Sequence, residues 1–69
     1  MVRYLVVFER AGDKYTAYVP DLPGCFAAGA TLPEVKENIR KVIRLNVRGI
    51  VSRGETIPEQ VAFSEYIDM

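Results

Sequence analysis

The chain contains one cysteine, Cys25, and no histidine among its 69 residues. Without histidine there is no imidazole base to activate a serine or cysteine nucleophile, and the His/Cys spacings of a zinc site are missing. The charged residue nearest to Cys25 in sequence is Asp21, and a neighbouring carboxylate raises the pKa of a thiol. We therefore expect Cys25 to be a small buried side chain and not a reactive group.

Carboxylates are the other groups that could do chemistry. In the N-terminal half they are Glu9, Asp13 and Asp21. A magnesium site needs several converging carboxylates, whereas Glu9 and Asp13 flank a turn and should be solvated. The glycines do not match the spacing of a phosphate-binding or dinucleotide-binding loop. The sequence therefore predicts no catalytic residue, no metal, no cofactor and no enzymatic activity.

Charge is unevenly distributed along a chain whose net charge is zero. Residues 33–54 hold six bases and two acids, and residues 55–69 hold four acids and no base. Four of the bases recur every fourth residue and would form a ridge on one side of a helix: Lys36, Arg40, Arg44 and Arg48. One interpretation is a solvated ridge that the acidic end neutralises. The other is a contact strip for nucleic acid, an acidic partner or a second copy.

The segment VPDLPGCF, residues 19–26, combines two prolines with one glycine. Pro20 and Pro23 stiffen the backbone, and Gly24 can take the positive φ of a tight turn. Such a loop either connects two strands or presents Leu22 outward as a preformed contact, and the two roles are compatible. The residues that we expect to meet a protein partner are Glu9, Asp13, Asp21, Leu22 and Pro23.

The hydrophobic pattern predicts the elements that position these residues. A turn around Gly12 joins the first two strands. Thr31 and Glu34 match a capping box at the start of a helix, and Gly54 would end it. The predicted strands are Val2–Glu9, Tyr15–Val19, Phe26–Ala28 and Val61–Ile67. The order strand-strand-strand-helix-strand predicts one α+β domain, residues 1–69, with a mostly antiparallel sheet and one helix packed on one face.

The first predicted strand is apolar on both faces. Tyr4, Val6 and Phe8 point one way, and Leu5 and Val7 point the other. A single helix covers one face of a sheet, so the other face would be an exposed apolar patch. Domains below roughly 70–80 residues also need a staple, and this chain has neither a disulfide pair nor a metal site. We therefore expect a homodimer or tetramer.

Several of these residues together resemble the HicB antitoxin family. The resemblance rests on Tyr15, Ala17, the run Pro20–Cys25, Gly29, Thr31, Glu34 and the run Gly54–Pro58. It implies a partial, degenerate ribonuclease-H-like fold without catalytic carboxylates. It also implies steric inhibition of a HicA-type toxin, a small basic protein that cleaves mRNA. The helix-turn-helix or ribbon-helix-helix segment that many members carry is not in this sequence, so we expect a short form without operator binding.

The function expected from the sequence is that of an antitoxin in a type II toxin–antitoxin pair. It would bind its toxin and itself, and it would catalyse nothing. No apolar run approaches the ~20 residues that cross a bilayer, so we expect no membrane contact. A free thiol and the lack of a targeting segment fit a reducing cytoplasm, where we expect the protein to be. The alternative function is a stand-alone nucleic-acid-binding or regulatory module that uses the basic ridge.

Overall fold

The computed structural model describes residues 3–69 as a three-stranded antiparallel sheet with one helix. In chain order the elements are β1 (Val7–Ala11), β2 (Lys14–Tyr18), β3 (Phe26–Gly29) and α1 (Leu32–Ser52). The strand β2 lies in the centre, between β1 and β3. The expected α+β class, with three antiparallel strands followed by one helix, is confirmed.

The strand β1 is shorter at its start than the sequence predicts. Val2 lies outside the described residues, and residues 3–6 are not part of a strand. The ladder begins where Val7 pairs with Tyr18, the last residue of β2. Pro20 has no N–H to donate, so the central strand ends early and leaves residues 3–6 without a strand opposite them. At the other end, Gly12 forms the hairpin turn with a φ of 65°.

The helix begins and ends as its capping residues predict. The Thr31 hydroxyl oxygen accepts a hydrogen bond from the Glu34 N–H at 3.2 Å, and the Glu34 carboxylate accepts one from the Ala30 N–H at 2.8 Å. At the C-terminus, Gly54 has a φ of 74°, and the Glu55 N–H donates to the Ile50 carbonyl. This bond closes the last helical turn by the Schellman pattern.

The helix packs on β2 and β3 only. No Cα atom of Leu32–Ser52 lies within 8 Å of a Cα atom in Val7–Ala11. The close approach to β3 depends on Gly29, because a Cβ atom there would lie 2.8 Å from the Val35 backbone nitrogen. Asn38 ties the same two elements through a 2.8 Å bond from its amide to the Ala28 carbonyl. The helix is thereby shifted toward one edge of the sheet, and the face of β1 on the helix side stays open.

The core is small and lies under the helix. Its buried members are Ala17, Val19, Leu22, Cys25, Ala27, Val35, Ile39 and Ile50. The sequence places Leu32 at the start of the helix's apolar stripe, but its side chain is exposed in the structure. Leu32 is the first helical residue, one turn before Val35, and at that position it extends past the edge of the core.

The predicted fourth strand, Val61–Ile67, is wrong. The structure has no strand in residues 53–69, which we call the tail. The Val61 and Ala62 N–H groups donate to the Asp21 carboxylate at 3.1 and 3.0 Å, so these donors are satisfied without a strand partner. The segment has the composition of a strand, but no strand among residues 3–69 pairs with it.

The prediction that one apolar face of the sheet stays uncovered is confirmed. Val7, Tyr18 and Phe26 stand opposite one another in a row across the three strands. They lie on the side away from the helix, because their neighbours Ala17 and Ala27 are buried under it. The Phe26 side chain is 62% exposed. We call this side of the sheet the outer face.

The close contact between helix and sheet can be tested by replacing a glycine with alanine, at Gly29 in the contact and at Gly49 as a control. We expect Gly29→Ala to lower the free energy of unfolding by about 1–3 kcal/mol, because the new methyl group meets helix backbone that must move. Gly49→Ala should instead be neutral or stabilising by up to about 1 kcal/mol, because alanine favours the helix interior. Its nearest neighbour is the flexible end of Arg53, at 3.3 Å. Urea unfolding measures both, and equal effects would contradict the close approach at Gly29.

Candidate protein-binding surfaces

The loop between β2 and β3 is a rigid turn anchored from below. The Leu22 N–H donates to the Val19 carbonyl and the Cys25 N–H donates to the Leu22 carbonyl, both at 3.1 Å. Gly24 takes a φ of 84°, as the sequence predicts. The expectation that Leu22 points outward is wrong, because its side chain is 1% exposed. Leu22 therefore fixes the loop to the core, and Pro23 is the exposed residue at the tip.

Asp21 holds the tail against this loop. Its half-buried carboxylate accepts the two backbone hydrogen bonds from Val61 and Ala62 described above. Tyr4 makes a second connection, because its hydroxyl donates to the Pro58 carbonyl. Burial raises the pKa of Tyr4, and the negative charges of Asp21 and Cys25 raise it further. Asp21 and Tyr4 thus fasten the start of the tail to the strand side of the molecule.

Glu9 and Asp13 lie where the sequence places them, on exposed positions of the β1–β2 hairpin. Glu9 pairs with Thr16 in the row next to Val7 and Tyr18, so its carboxylate borders the outer face. Asp13 is in the turn that follows β1. The structure therefore brings Glu9 and the three apolar side chains of the outer face together, whereas Asp21 is engaged by the tail.

Sequence reasoning missed the aromatic part of this surface. Tyr18 and Phe26 belong to different strands, and only the register Tyr18↔Phe26 places them side by side. The alternation of side chains between the two faces of each strand could have indicated this surface. Ala17 and Ala27 are small enough to lie under a helix, so their neighbours Tyr18 and Phe26 should lie on the other face. Pairing between strands is a long-range property that the local pattern does not contain.

The basic ridge forms one wall of an open groove of about 1130 Å³, which we call the basic groove. The opposite wall is residues 3–6 and Phe8, and residues 60–64 of the tail lie at one side. The helix contributes both the charged ridge and the apolar floor: Lys36, Arg40, Arg44, Arg48, Ile39, Ile43 and Val47. The groove exists because the helix leaves β1 uncovered.

The acidic tail does not neutralise the ridge within one chain. In residues 3–69 the ion pairs are Arg40–Glu37 and Arg53–Glu55, both at 3.1 Å and both solvent-exposed. Neither includes an acid beyond Glu55, so three tail carboxylates form no ion pair: Glu59, Glu65 and Asp68. Among residues 3–69, no direct ion pair therefore joins the acidic tail to the basic ridge.

Cys25 is buried under the loop, as expected, and residues 3–69 contain no cluster of side chains suited to hold a metal ion. Burial raises the pKa of its thiol. A helix with the length and apolarity to cross a membrane does not occur in the same described range. What the structure presents is three surfaces: the outer face, the hairpin carboxylates and the basic groove.

Substitutions at Leu22 and Pro23 distinguish the two roles considered for the loop, a structural connection between two strands and a preformed contact surface. We expect Leu22→Ala to lower the free energy of unfolding by about 2–5 kcal/mol, because it empties a buried site. Pro23→Ala should change it by less than about 1 kcal/mol, mainly through the unfolded chain. Thermal or urea unfolding of both variants checks this, and a larger effect at Pro23 would contradict the anchoring role of Leu22.

The buried thiol should make stability fall at alkaline pH. Because the pKa of Cys25 is raised in the folded state, the unfolded chain loses this proton first as pH rises. The free energy of unfolding should therefore hold below the ordinary thiol pKa of about 8.5 and decline as pH rises through the folded-state value. The difference between the wild type and Cys25→Ala in urea unfolding from pH 7 to 10 isolates this contribution. A difference that does not change with pH would contradict it.

Several known proteins are similar to this chain. It is 35% identical over 65 residues to the 14.9 kDa protein of the rep-hol intergenic region of Haemophilus phage HP1, covering 94% of this chain and 49% of that protein. It is 36% identical over 62 residues to a UPF0150 protein of Thermoplasma acidophilum, covering 88% and 90%. The chain thus spans about half the length of the phage relative and nine-tenths of the archaeal one.

The fold is shared with a solved structure. The crystal structure of TTHA0281 from Thermus thermophilus matches with a TM-score of 0.72 and 29% identity, covering 87% of this chain and 82% of that one. The family described as HicB_like antitoxin of bacterial toxin-antitoxin system matches residues 4–69, which include the whole sheet, the helix and the tail. The chain belongs to the HicB-like antitoxin family.

Proposed function

We propose that this chain is the antitoxin of a type II toxin–antitoxin pair and inhibits a HicA-type mRNA-cleaving toxin by covering its catalytic face. The observation that carries the proposal is family membership over residues 4–69. The outer face adds a surface on which such binding can occur. In this proposal the chain acts by occupying space, and it performs no reaction of its own.

The outer face has the composition of a protein-binding centre. Tyr18 and Phe26 are 43% and 62% exposed and stand side by side, with Val7 completing the row. Aromatic side chains bury a large area on contact and are enriched where binding energy concentrates. The sheet beneath them is rigid, because the central strand β2 is paired on both sides. Little conformational entropy is then lost when a partner docks.

The charges around this face suit a basic partner. A protein that cleaves RNA has to attract the phosphate backbone, so its active face carries positive charge. Glu9 borders the outer face and Asp13 lies at the end of the same hairpin, both exposed. Pro23 is exposed in the loop that leads to Phe26. We place the toxin contact on Glu9, Asp13, Pro23 and the aromatic row, and we leave the inward-pointing Leu22 and the tail-bound Asp21 out of it.

The basic groove is unsuited to the same partner, because the five cationic side chains that line it would repel a basic toxin. We further propose that residues 1–69 act as one domain of partial ribonuclease-H-like architecture, in the cytoplasm, as a dimer or tetramer. Three antiparallel strands followed by a helix support the architecture. The open basic groove supports self-association.

Nucleic-acid binding is the second candidate function, and one observation favours it. Lys36, Arg44 and Arg48 line the groove without forming an ion pair among residues 3–69. A protein that used them on phosphates would bind RNA or DNA with an affinity that falls steeply as salt concentration rises. Titration of the chain with RNA at two salt concentrations distinguishes this function from toxin inhibition.

The outer face can be tested against a toxin encoded next to this gene. The partner to use is a short basic protein with a histidine from the adjacent reading frame, co-expressed with this chain. We expect co-purification and relief of growth arrest. Phe26→Ser should weaken the binding by about 30-fold or more, equivalent to about 2 kcal/mol, because it removes an exposed aromatic anchor.

The matched control is Leu45→Ser, which removes an exposed apolar side chain from the helix instead of the outer face. It should leave both binding and growth unchanged. Unfolding measurements on both variants establish that each remains folded. Equal binding by Phe26→Ser and the wild type would contradict the assignment of the outer face, and growth arrest that persists in co-expression would contradict the antitoxin function.

A further inference from the structure

The end of the tail, residues 65–69, is extended into solvent although it is mostly apolar. Tyr66 and Met69 are 103% and 111% exposed, and Ile67 is exposed as well. The segment is E-Y-I-D-M, so two carboxylates alternate with three large apolar side chains. Residues 60–64 line the basic groove of their own chain, but residues 65–69 do not. We call residues 65–69 the tail end.

The basic groove has the complementary composition. Its apolar lining comes from two sides, with Ile39, Ile43 and Val47 from the helix and Val6 and Phe8 from the opposite wall. Its rim is the basic ridge, in which, among residues 3–69, Arg40 alone forms an ion pair, with the exposed Glu37. A segment that fills this groove should therefore be apolar with carboxylates at intervals, which is the composition of the tail end.

The basic ridge and the tail end are also similar in length. From Lys36 to Arg48 the ridge rises about 18 Å, at about 1.5 Å per residue. Five extended residues span about 17 Å. Residues 61 and 62 are fixed by Asp21, and residues 60–64 already form a side of their own groove, so the tail end leaves that groove instead of entering it.

We propose that the tail end of one copy inserts into the basic groove of a second copy, and that the exchange is reciprocal in a two-fold dimer. Tyr66 and Ile67 point to opposite sides of an extended segment, so one contacts the apolar residues of the helix and the other those of the strand side. Glu65 and Asp68 pair with the ridge. Both poles of a chain with zero net charge are then satisfied by an identical partner. This inference specifies the interface of the self-association proposed above and is independent of toxin binding.

Charge exchange between two variants tests the interface. The first variant, Glu65→Lys/Asp68→Lys, places a cationic tail end against a cationic groove. The second, Arg44→Glu/Arg48→Glu, places an acidic groove against an acidic tail end. We expect the dimer dissociation constant of each, measured by sedimentation equilibrium, to rise about tenfold or more, because two attractions become repulsions.

A one-to-one mixture of the two variants should restore the dimer, because each tail end then meets a groove of opposite charge. The matched controls are Glu59→Lys in the tail and Lys41→Glu on the helix, neither of which lines the groove. Both should dimerise like the wild type. Circular dichroism establishes that every variant remains folded.

Three results would overturn the proposal. A wild type that stays monomeric at millimolar concentration does not exchange its tail end with a second copy. A dimer that both charge variants leave intact is formed elsewhere, with the outer face as the remaining candidate. Salt-dependent RNA binding that Arg44→Glu/Arg48→Glu abolishes while dimerisation is unchanged assigns the groove to nucleic acid. Toxin co-purification is read separately, so its failure leaves this test valid.

Discussion

The close approach of the helix to β3 at Gly29 determines which surfaces this protein offers. The helix backbone at Val35 lies so close to Gly29 that a Cβ atom there would be 2.8 Å away, and this contact places the helix over β3 and the centre of the sheet. It then reaches β2 but not β1. With one helix and three strands, that position leaves two regions open at once. One is the outer face, and the other is the groove between β1 and the helix.

These two open regions differ in charge, and the difference separates their roles. The outer face combines an aromatic row with the carboxylate of Glu9, whereas the groove is lined by five cations, Arg3 and the four of the basic ridge. In the proposed function, a basic toxin would be attracted to the outer face and repelled by the basic groove. An apolar segment with carboxylates, such as the tail end, would have the opposite preference. The proposed contact with a toxin and the proposed contact with a second copy therefore use different surfaces of the chain.

The parts of this structure that depend on near neighbours in sequence could be predicted from the sequence. Thr31 and Glu34 marked the helix start, Gly54 its end, and Gly12 the hairpin turn, because each acts within a few residues. Two features depend on distant residues and were missed. Val61–Ile67 has strand composition, but whether a strand forms depends on a partner strand. Leu22 appeared to be a presented side chain, and only the packed core shows that it points inward.

The order of the elements has a consequence for how quickly the molecule forms. The strand β1 pairs with the next strand, β2 pairs with β3, and the helix that follows packs back on these two. Chains whose contacts join nearby residues fold fast, because little loop-closure entropy is lost before each contact is made. The hydrogen bonds that span more than half the chain, among residues 3–69, run from Tyr4 to Pro58 and from Asp21 to Val61 and Ala62. All of them fasten the tail, so the sheet and the helix can assemble first and the tail can be fastened afterwards.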